Sequence, residues 1–382
     1  MIYLLLYPLR GAASWLSWLN VLRYIPFRTI MATLTAMVMS FALGPWFIRR
    51  LQEKQIGQVV RDDGPQSHLS KRGTPTMGGS LILFTLVVPT VLWADPHNSF
   101  VWLTLIVTVC YGIVGFLDDY LKIKKKNSGG LAGRYKLVGQ VLVASLVVGY
   151  LFLGKGAFLP ADWIEHRDHL ALPFRAYRHA IILPVGVYIA FGVFLVVGTS
   201  NAVNLTDGLD GLAIGPVIIN AMTYLIFAYV TGLTLGSFDI ARYLDIPPIR
   251  STGELTVLCG AMMGSGVGFL WYNTYPASVF MGDVGALALG GALGMLALVT
   301  KNELLSALLG GVFVVETVSV IIQTTYFQYT KRRYGQGKRI FLMAPIHHHF
   351  EKQGWAEPKV IVRFWIISIA LALIALSSLK LR

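Results

Sequence analysis

The chain alternates between long apolar runs and short polar breaks. Ten predominantly apolar runs stand out, at about 25–48, 77–94, 100–117, 137–153, 180–198, 211–232, 255–272, 284–299, 304–326 and 360–379. A helix needs roughly 17–25 such residues to cross the hydrocarbon core of a bilayer. Lipid offers no partner for an unpaired backbone N–H or C=O, so spanning segments of this kind are helices. Leu, Val, Ile and Ala run on without the two-residue alternation of a half-buried strand. The pattern predicts an all-α, polytopic membrane protein with about ten transmembrane helices. Residues 1–22 carry Trp15, Trp18 and Arg10 but lack the basic start of a signal peptide, and read as an interfacial lead-in. No internal repeat or low-complexity linker divides residues 1–382, so one integral membrane domain is expected.

Composition sharpens this picture. The chain is 55% hydrophobic and 13% charged, whereas a soluble domain carries roughly 25% charged residues. Cys110 and Cys259 both fall inside predicted spans and read as small buried apolar residues, not as a disulfide or thiolate metal framework. The loops at 48–78, 117–136 and 327–359 hold 19 of the 32 Lys and Arg residues. Ten spans put these loops on one side, and the excess of basic residues places that side in the cytoplasm and both termini opposite. The net charge of +13 also suits anionic headgroups or phosphorylated substrates. Basic loops without aromatic RNA- or DNA-binding modules make no case for a nucleic-acid partner.

With that topology the cytoplasmic loops are about 48–78, 117–136, 199–210, 273–283 and 327–359, and nearly every unusual polar stretch lies in one of them. A transporter should place polar groups near the midplane and on routes to both faces. A membrane-surface enzyme can gather its whole site on one face.

The first stretch is SHLSKRGTPTMGG, residues 67–79. Its glycines allow close approach of backbone to a ligand, Lys71 can pair with phosphate, and Thr76 follows on the same loop. It is not a Walker A sequence. The second, GFLDDYLKIKKK, ends an apolar span with Asp118 and Asp119. Adjacent acids at a membrane edge are costly without a counter-charge. They can hold Mg²⁺ or supply a base, or simply be neutralised by Lys122, Lys124, Lys125 and Lys126. The third, NAVNLTDGLDG, spaces Asn204, Asp207 and Asp210 three apart, on one face if helical. A glycine-rich turn entering a helix exposes N–H groups suited to a phosphate or a nucleobase carbonyl. The fourth, WYNTYPASVFMGDVGALALGG, carries Asn273, Phe280 and Asp283. Asp283 can cap the following helix. Glu316 and Gln323 lie in the next span, where Glu316 can be an acid paired inside the bundle. The fifth, PIHHHFEKQGW, sets His347, His348 and His349 side by side. A purification tag is longer and terminal, and a zinc site usually wants spaced ligands, because adjacent side chains diverge.

Acids from three loops, with basic residues among them, read together as one metal-phosphate site. No G-x-S-x-G elbow or Ser-His-Asp order points to a serine hydrolase.

GTPTMGG, GFLDDY, NAVNLTDGLDG, FMGD and APIHHHFEKQGW occur in that order. By these motifs the chain, from about residue 20 to its C-terminus, resembles the phospho-N-acetylmuramoyl-pentapeptide transferases. These lie within the larger family of polyprenyl-phosphate N-acetylhexosamine-1-phosphate transferases. GFLDDY and NLTDGLDG suit the larger family, and the triple histidine favours the muramoyl-pentapeptide branch. The resemblance implies transfer of phospho-MurNAc-pentapeptide from UDP-MurNAc-pentapeptide to undecaprenyl phosphate, giving lipid I and UMP. It implies Mg²⁺ dependence, ten spans with both termini periplasmic, a site facing the cytoplasm from the bacterial inner membrane, and a homodimer. By the same resemblance Asp118 and Asp119 lie near the lipid phosphate, and Asp283 binds Mg²⁺. Lys71 and Thr76 line the nucleotide side. Asn204, Asp207, Gly208, Leu209, Asp210, Asn273 and Phe280 form the uridine pocket and its supports. His347, His348 and His349 lie at the sugar-diphosphate end, with His347 the first choice for a catalytic role; imidazoles there can donate to diphosphate and sugar oxygens. Ala286 stands where the family more often has Ser. In-line displacement and a two-step route through an aspartyl-phosphate both fit these residues. The alternatives are a sibling transferase using UDP-GlcNAc, a transporter or flippase, and an inactive scaffold.

Overall fold

Each of the ten apolar runs is helical, one of them as two helices. The computed structural model describes residues 2–54, 73–125, 130–154, 158–235 and 238–381. Its helices are α1 (Ile2–Leu6), α2 (Ile25–Glu53), α3 (Gly79–Trp93), α4 (Ser99–Lys125), α5 (Gly133–Leu153), α6 (Ala161–His166), α7 (Val185–Thr206) and α8 (Ile214–Gly232). There follow α9 (Ile240–Tyr243), α10 (Leu255–Asn273), α11 (Gly282–Val299), α12 (Glu303–Leu309), α13 (Gly311–Tyr334), α14 (Ile346–Lys352) and α15 (Glu357–Ser377). Short 3-10 helices at Tyr7–Gly11, Ser14–Arg23, Tyr177–His179 and Arg250–Glu254, and two antiparallel pairs of two-residue strands, His169–Leu170 with Ile181–Ile182 and Thr234–Leu235 with Phe238–Asp239, complete the described secondary structure. The chain is an all-α polytopic membrane protein.

Among the described residues, eight helices are long and apolar enough to cross a membrane. Two expected spans depart from that form. The run at 77–94 is the 15-residue α3, which at 1.5 Å per residue reaches about 22 Å, short of a hydrocarbon core of ~30 Å. The run at 304–326 is broken into α12 and α13, bent by 82°. The break falls at Gly310–Gly311, where the absence of side chains removes the bias toward continuing the helix.

The centre of the bundle is α11, buried at every residue from Val284 to Val299. It is rich in Gly and Ala because its neighbours α4 and α7 press close. A Cβ at Gly290 would lie 2.6 Å from the Cα of Ser200 on α7. Small residues of this kind let membrane helices gain dispersion contact where lipid supplies no hydrophobic drive. Outward faces stay apolar, with Leu146, Phe194 and Leu373 largely exposed on the surface that faces lipid. A second, small cluster of Leu209, Leu212, Val312, Val360, Ile361 and Phe364 lies where α13 and α15 meet the turn between α7 and α8. That cluster supports the polar residues described next.

Candidate active site

Three carboxylates converge where α4 ends and α11 begins. Asp118 and Asp119 lie in the last turns of α4, each only 3% exposed. Asp283 is in the first turn of α11, where the helix dipole favours negative charge. One ligand atom from each of the three can be chosen so that all lie within 4.8 Å of one another. Gly282 has φ +69°, and a Cβ there would fall 2.6 Å from Oδ2 of Asp119. Glycine at this position permits both the left-handed turn and the approach of the acids.

Two lysines hold the cluster together. Lys122 Nζ lies 2.6 Å from Asp118 Oδ2, 3.3 Å from Asp119 Oδ1 and 2.9 Å from Asp283 Oδ2. Its place one turn along α4 from the acids makes this reach a consequence of helical spacing. Lys136, from α5, lies 2.8 Å from Asp283 Oδ2 and donates to Asn204 Oδ1 at 3.3 Å. Asn204 Nδ2 donates to the other oxygen of Asp283 at 2.6 Å. The backbone N–H of Leu131 donates to Asp118 at 2.7 Å. Three acids against two cations leave the cluster with a formal excess of one negative charge and suited to a further cation.

Lys136 is the member of this cluster that the sequence does not single out. It stands in a basic segment that reads as topology signalling, and only packing of α5 brings it to Asp283. Lys122 entered the reading only as a neutraliser of the aspartates; it bridges all three acids. Lys124 and Lys125 point outward, exposed.

The other expected residues fall into three groups. Lys71 lies outside the described residues, as does Lys126. Thr76 is buried in a segment whose backbone clamps the loop before α11: Phe280 N–H donates to Pro75 O, Gly78 N–H to Phe280 O and Gly79 N–H to Met281 O, each at 2.8 Å. This explains the local GTPTMGG sequence, since Phe280 is held through its backbone and its ring is half-buried.

The turn 207–211 forms the second group. Asp207 accepts from the Gly282 N–H, and burial pushes its carboxyl up to about 8, with the Asp283 and Asp119 carboxylates adding to the shift. Asp210 Oδ2 accepts from Ala277 N–H at 2.9 Å, and Asp210 N–H donates to Glu357 Oε1 at 3.0 Å. Asn273 receives the Gly211 N–H and donates to Val279 O. Trp365 Nε1 donates to Gly211 O at 3.2 Å. Leu209 is buried in the small apolar cluster. In this structure Asp210 and Asn273 therefore spend polar capacity on shaping the turn. Glu357 and Trp365, on α15, were not singled out by sequence, because nothing local distinguishes them.

The three histidines, the third group, lie on α14 and diverge. His347 is fully buried with Nδ1 3.1 Å from Glu316 Oε2. His348 Nδ1 lies 2.7 Å from Glu351 Oε2. His349 Nδ1 accepts the Leu342 N–H at 3.1 Å. His348 and His349 are only half-buried, whereas His347, the expected catalytic histidine, packs beneath the 207–211 turn. Trp355 stacks on Phe350 and carries the Arg363 guanidinium 4.2 Å above its ring, which fixes the end of this segment.

An intramembrane bundle with a lysine-bridged carboxylate cluster at one end defines a class, and comparison agrees. Residues 101–301 match the model of glycosyl transferase family 4. Across its whole length the chain is 67% identical to a phospho-N-acetylmuramoyl-pentapeptide-transferase of Sorangium cellulosum, covering 100% of both chains. It is 56% identical to that of Syntrophus aciditrophicus and 55% to that of Citrifermentans bemidjiense, again over 100% of both. The chain belongs to the phospho-N-acetylmuramoyl-pentapeptide-transferase family.

Proposed function

We propose that the chain transfers phospho-MurNAc-pentapeptide from UDP-MurNAc-pentapeptide to undecaprenyl phosphate, forming lipid I and releasing UMP. This is the first membrane-bound step of peptidoglycan synthesis. The observation that carries the chemistry is the convergence of Asp118, Asp119 and Asp283 around Lys122 and Lys136 at the ends of spanning helices. The positive-inside asymmetry supports a site on the cytoplasmic face of the inner membrane, with both termini periplasmic. On the same reading the enzyme acts as a homodimer.

The acceptor is a phosphate, a poor nucleophile that must approach another anion. An acceptor oxygen attacks the sugar-linked phosphorus, a new P–O bond forms, and the bond to the bridging oxygen breaks, so that UMP leaves with the electron pair. One carboxylate of the Asp118–Asp119 pair takes the acceptor's proton. Lys122 and Lys136 lie where they can pass from the carboxylates to the incoming phosphates, offsetting charge as it develops. Asn204 keeps Asp283 oriented, as a hydrogen-bond partner of a ligating carboxylate does. The 207–211 turn and the Phe280 loop form the nucleotide side, and His348 and His349 lie toward the sugar-diphosphate.

The donor set fits Mg²⁺: hard carboxylate oxygens, few in number, with room for substrate phosphates. Asp283 would hold the ion, with Asp118 and Asp119 beside it. When bound, Mg²⁺ supplies positive charge at the diphosphate.

Purified protein in detergent with undecaprenyl phosphate tests the proposal. UMP and lipid I are expected from UDP-MurNAc-pentapeptide and not from UDP-GlcNAc, with loss of product on addition of EDTA and recovery on excess Mg²⁺. Product from UDP-GlcNAc alone would keep the chemistry and overturn the branch.

A further inference from the structure

We propose that Glu316 is a positioning residue for the transfer reaction, acting through His347 on the turn that carries Asp207. The inference rests on the reading above. Glu316 lies on α13, within the membrane-crossing part of the chain, and is 0% exposed, as is His347. Its Oε2 is 3.1 Å from His347 Nδ1. The approach falls short of hydrogen-bond geometry, and both carboxylate oxygens of Glu316 and both ring nitrogens of His347 are buried without a hydrogen-bond partner among the described residues. The acid and the imidazole are thus each other's polar counterpart in an otherwise apolar setting, beside Val312 on the same helix.

The other nitrogen of the ring faces Gly208. A Cβ at that position would lie 2.3 Å from Nε2 and 2.8 Å from Cε1. The imidazole therefore sits directly against the backbone of Gly208, and glycine is what allows it. The neighbouring Asp207 accepts the N–H of Gly282, the residue before Asp283. A short path of direct contacts runs from Glu316 to His347, Gly208, Asp207, Gly282 and Asp283. It joins the bent helix α13 to the first turn of α11 without passing through solvent.

A buried acid–imidazole pair is a poor way merely to staple α13 to α14. Removing two polar groups from water is expensive, and an apolar pair of similar volume holds as well or better. The acid does add direction. A carboxylate beside Nδ1 favours the ring orientation seen, Nδ1 toward α13 and Nε2 toward Gly208, as second partners orient imidazoles elsewhere. The 207–210 turn is thereby fixed against Gly282, and Asp283 is held in register with Asp118 and Asp119. A small displacement there is costly because catalysis depends on alignment of the reacting groups.

The test uses full-length protein in detergent, with Glu316→Gln and the apolar Glu316→Leu. Turnover is followed as UMP release, and ¹⁵N-histidine spectra are recorded with the His347 signals assigned by their loss in His347→Gln. We expect both variants to melt within a few degrees of wild type and to lose at least tenfold in kcat, with KM for both substrates changed less than threefold. His347 Nδ1 should shift on Glu316→Gln, and Glu316→Gln should add nothing further to the defect of His347→Gln. Wild-type kcat in Glu316→Gln, multiplying defects in the double variant, or an unmoved Nδ1 signal would overturn the proposal. If the wild type itself releases no UMP, the transfer reading fails. The Nδ1 signal then decides alone whether Glu316 orients the ring.

Discussion

The molecule holds two clusters of charge at opposite ends of α11, and they differ in kind. At its start, Asp118, Asp119 and Asp283 surround Lys122 and Lys136, whose side chains are 33% and 14% exposed. Just past its end, Lys301 and Glu303 are both fully buried. Lys301 donates to Arg167 O and to Tyr188 OH, and Tyr188 donates to Glu303. The rings of Phe152, Trp163 and Tyr188 lie within 5.3 Å of its ammonium. The first cluster has a formal excess of acid and partly exposed cations; the second pairs one cation with one acid and is sealed by aromatics. Similar residue types therefore do different work. An open, unbalanced cluster can exchange partners with a substrate, whereas a closed one can only hold helices together.

The sharpest way to break this contrast is Asp283→Asn. Turnover should fall by about 10³-fold or more, the scale of losing a main electrostatic element, while the protein stays folded in the membrane. Normal turnover in that variant would remove Asp283 from the reaction. Lys122→Met and Lys136→Met should each lower kcat by about 10²-fold with a smaller loss of melting temperature than at the sealed end, since each leaves the acids one remaining lysine. Stopped-assay UMP release alongside a thermal melt distinguishes the two effects.

At the sealed end the pattern should reverse. Lys301→Met leaves Glu303 buried without its cation and should cost about 3–5 kcal/mol of stability, read as a lower melting temperature and lower membrane yield. The kcat of the protein that does fold should stay within about twofold of wild type. A large kcat loss without loss of stability would erase the distinction between the clusters.

The smallest effect is a dependence on pH. Burial pushes the Lys301 ammonium down to about 8, against the opposing pull of Glu303 and Asp168. Between that value and the ordinary lysine range, the folded protein has released a proton that the unfolded chain still binds. Stability contributed at this group therefore rises as pH increases from about 8 toward 10. The gap in melting temperature between wild type and Lys301→Met should widen over that interval and stay flat below it.

What could be read from the chain divides along the same line. Asp118, Asp119 and Asp283 were legible because ionisable residues at the edge of apolar spans are expensive and need a reason. Asp207 and Gly208 were legible from a turn crowded with Asn, Asp and Gly between two apolar helices. Lys136 was not, since a lysine in a basic loop looks the same whether it faces water or an acid. Nor was the service of Asp210 and Asn273 to neighbouring backbone, because a side chain's partner is chosen by tertiary contact. The run at 304–326 reads as one span, and its Gly310–Gly311 pair marks only where a bend is allowed.

The sequence by itself determined the helical membrane architecture, eight of the segments long enough to span, and the loops that hold the acids. It did so because lipid forces every backbone group into a helix and because buried charge is costly wherever it occurs. Only the tertiary structure decided which charges meet: Lys122 and Lys136 on the three aspartates, Glu357 on the turn, Glu316 on His347, and Lys301 closed away at the far end. The physical reason is range. Transfer of a residue into lipid is a property of that residue and its neighbours in sequence. An ion pair or hydrogen bond acts over about 3 Å, yet Lys122 and Asp283 are 161 positions apart, and only packing of the helices brings them within reach.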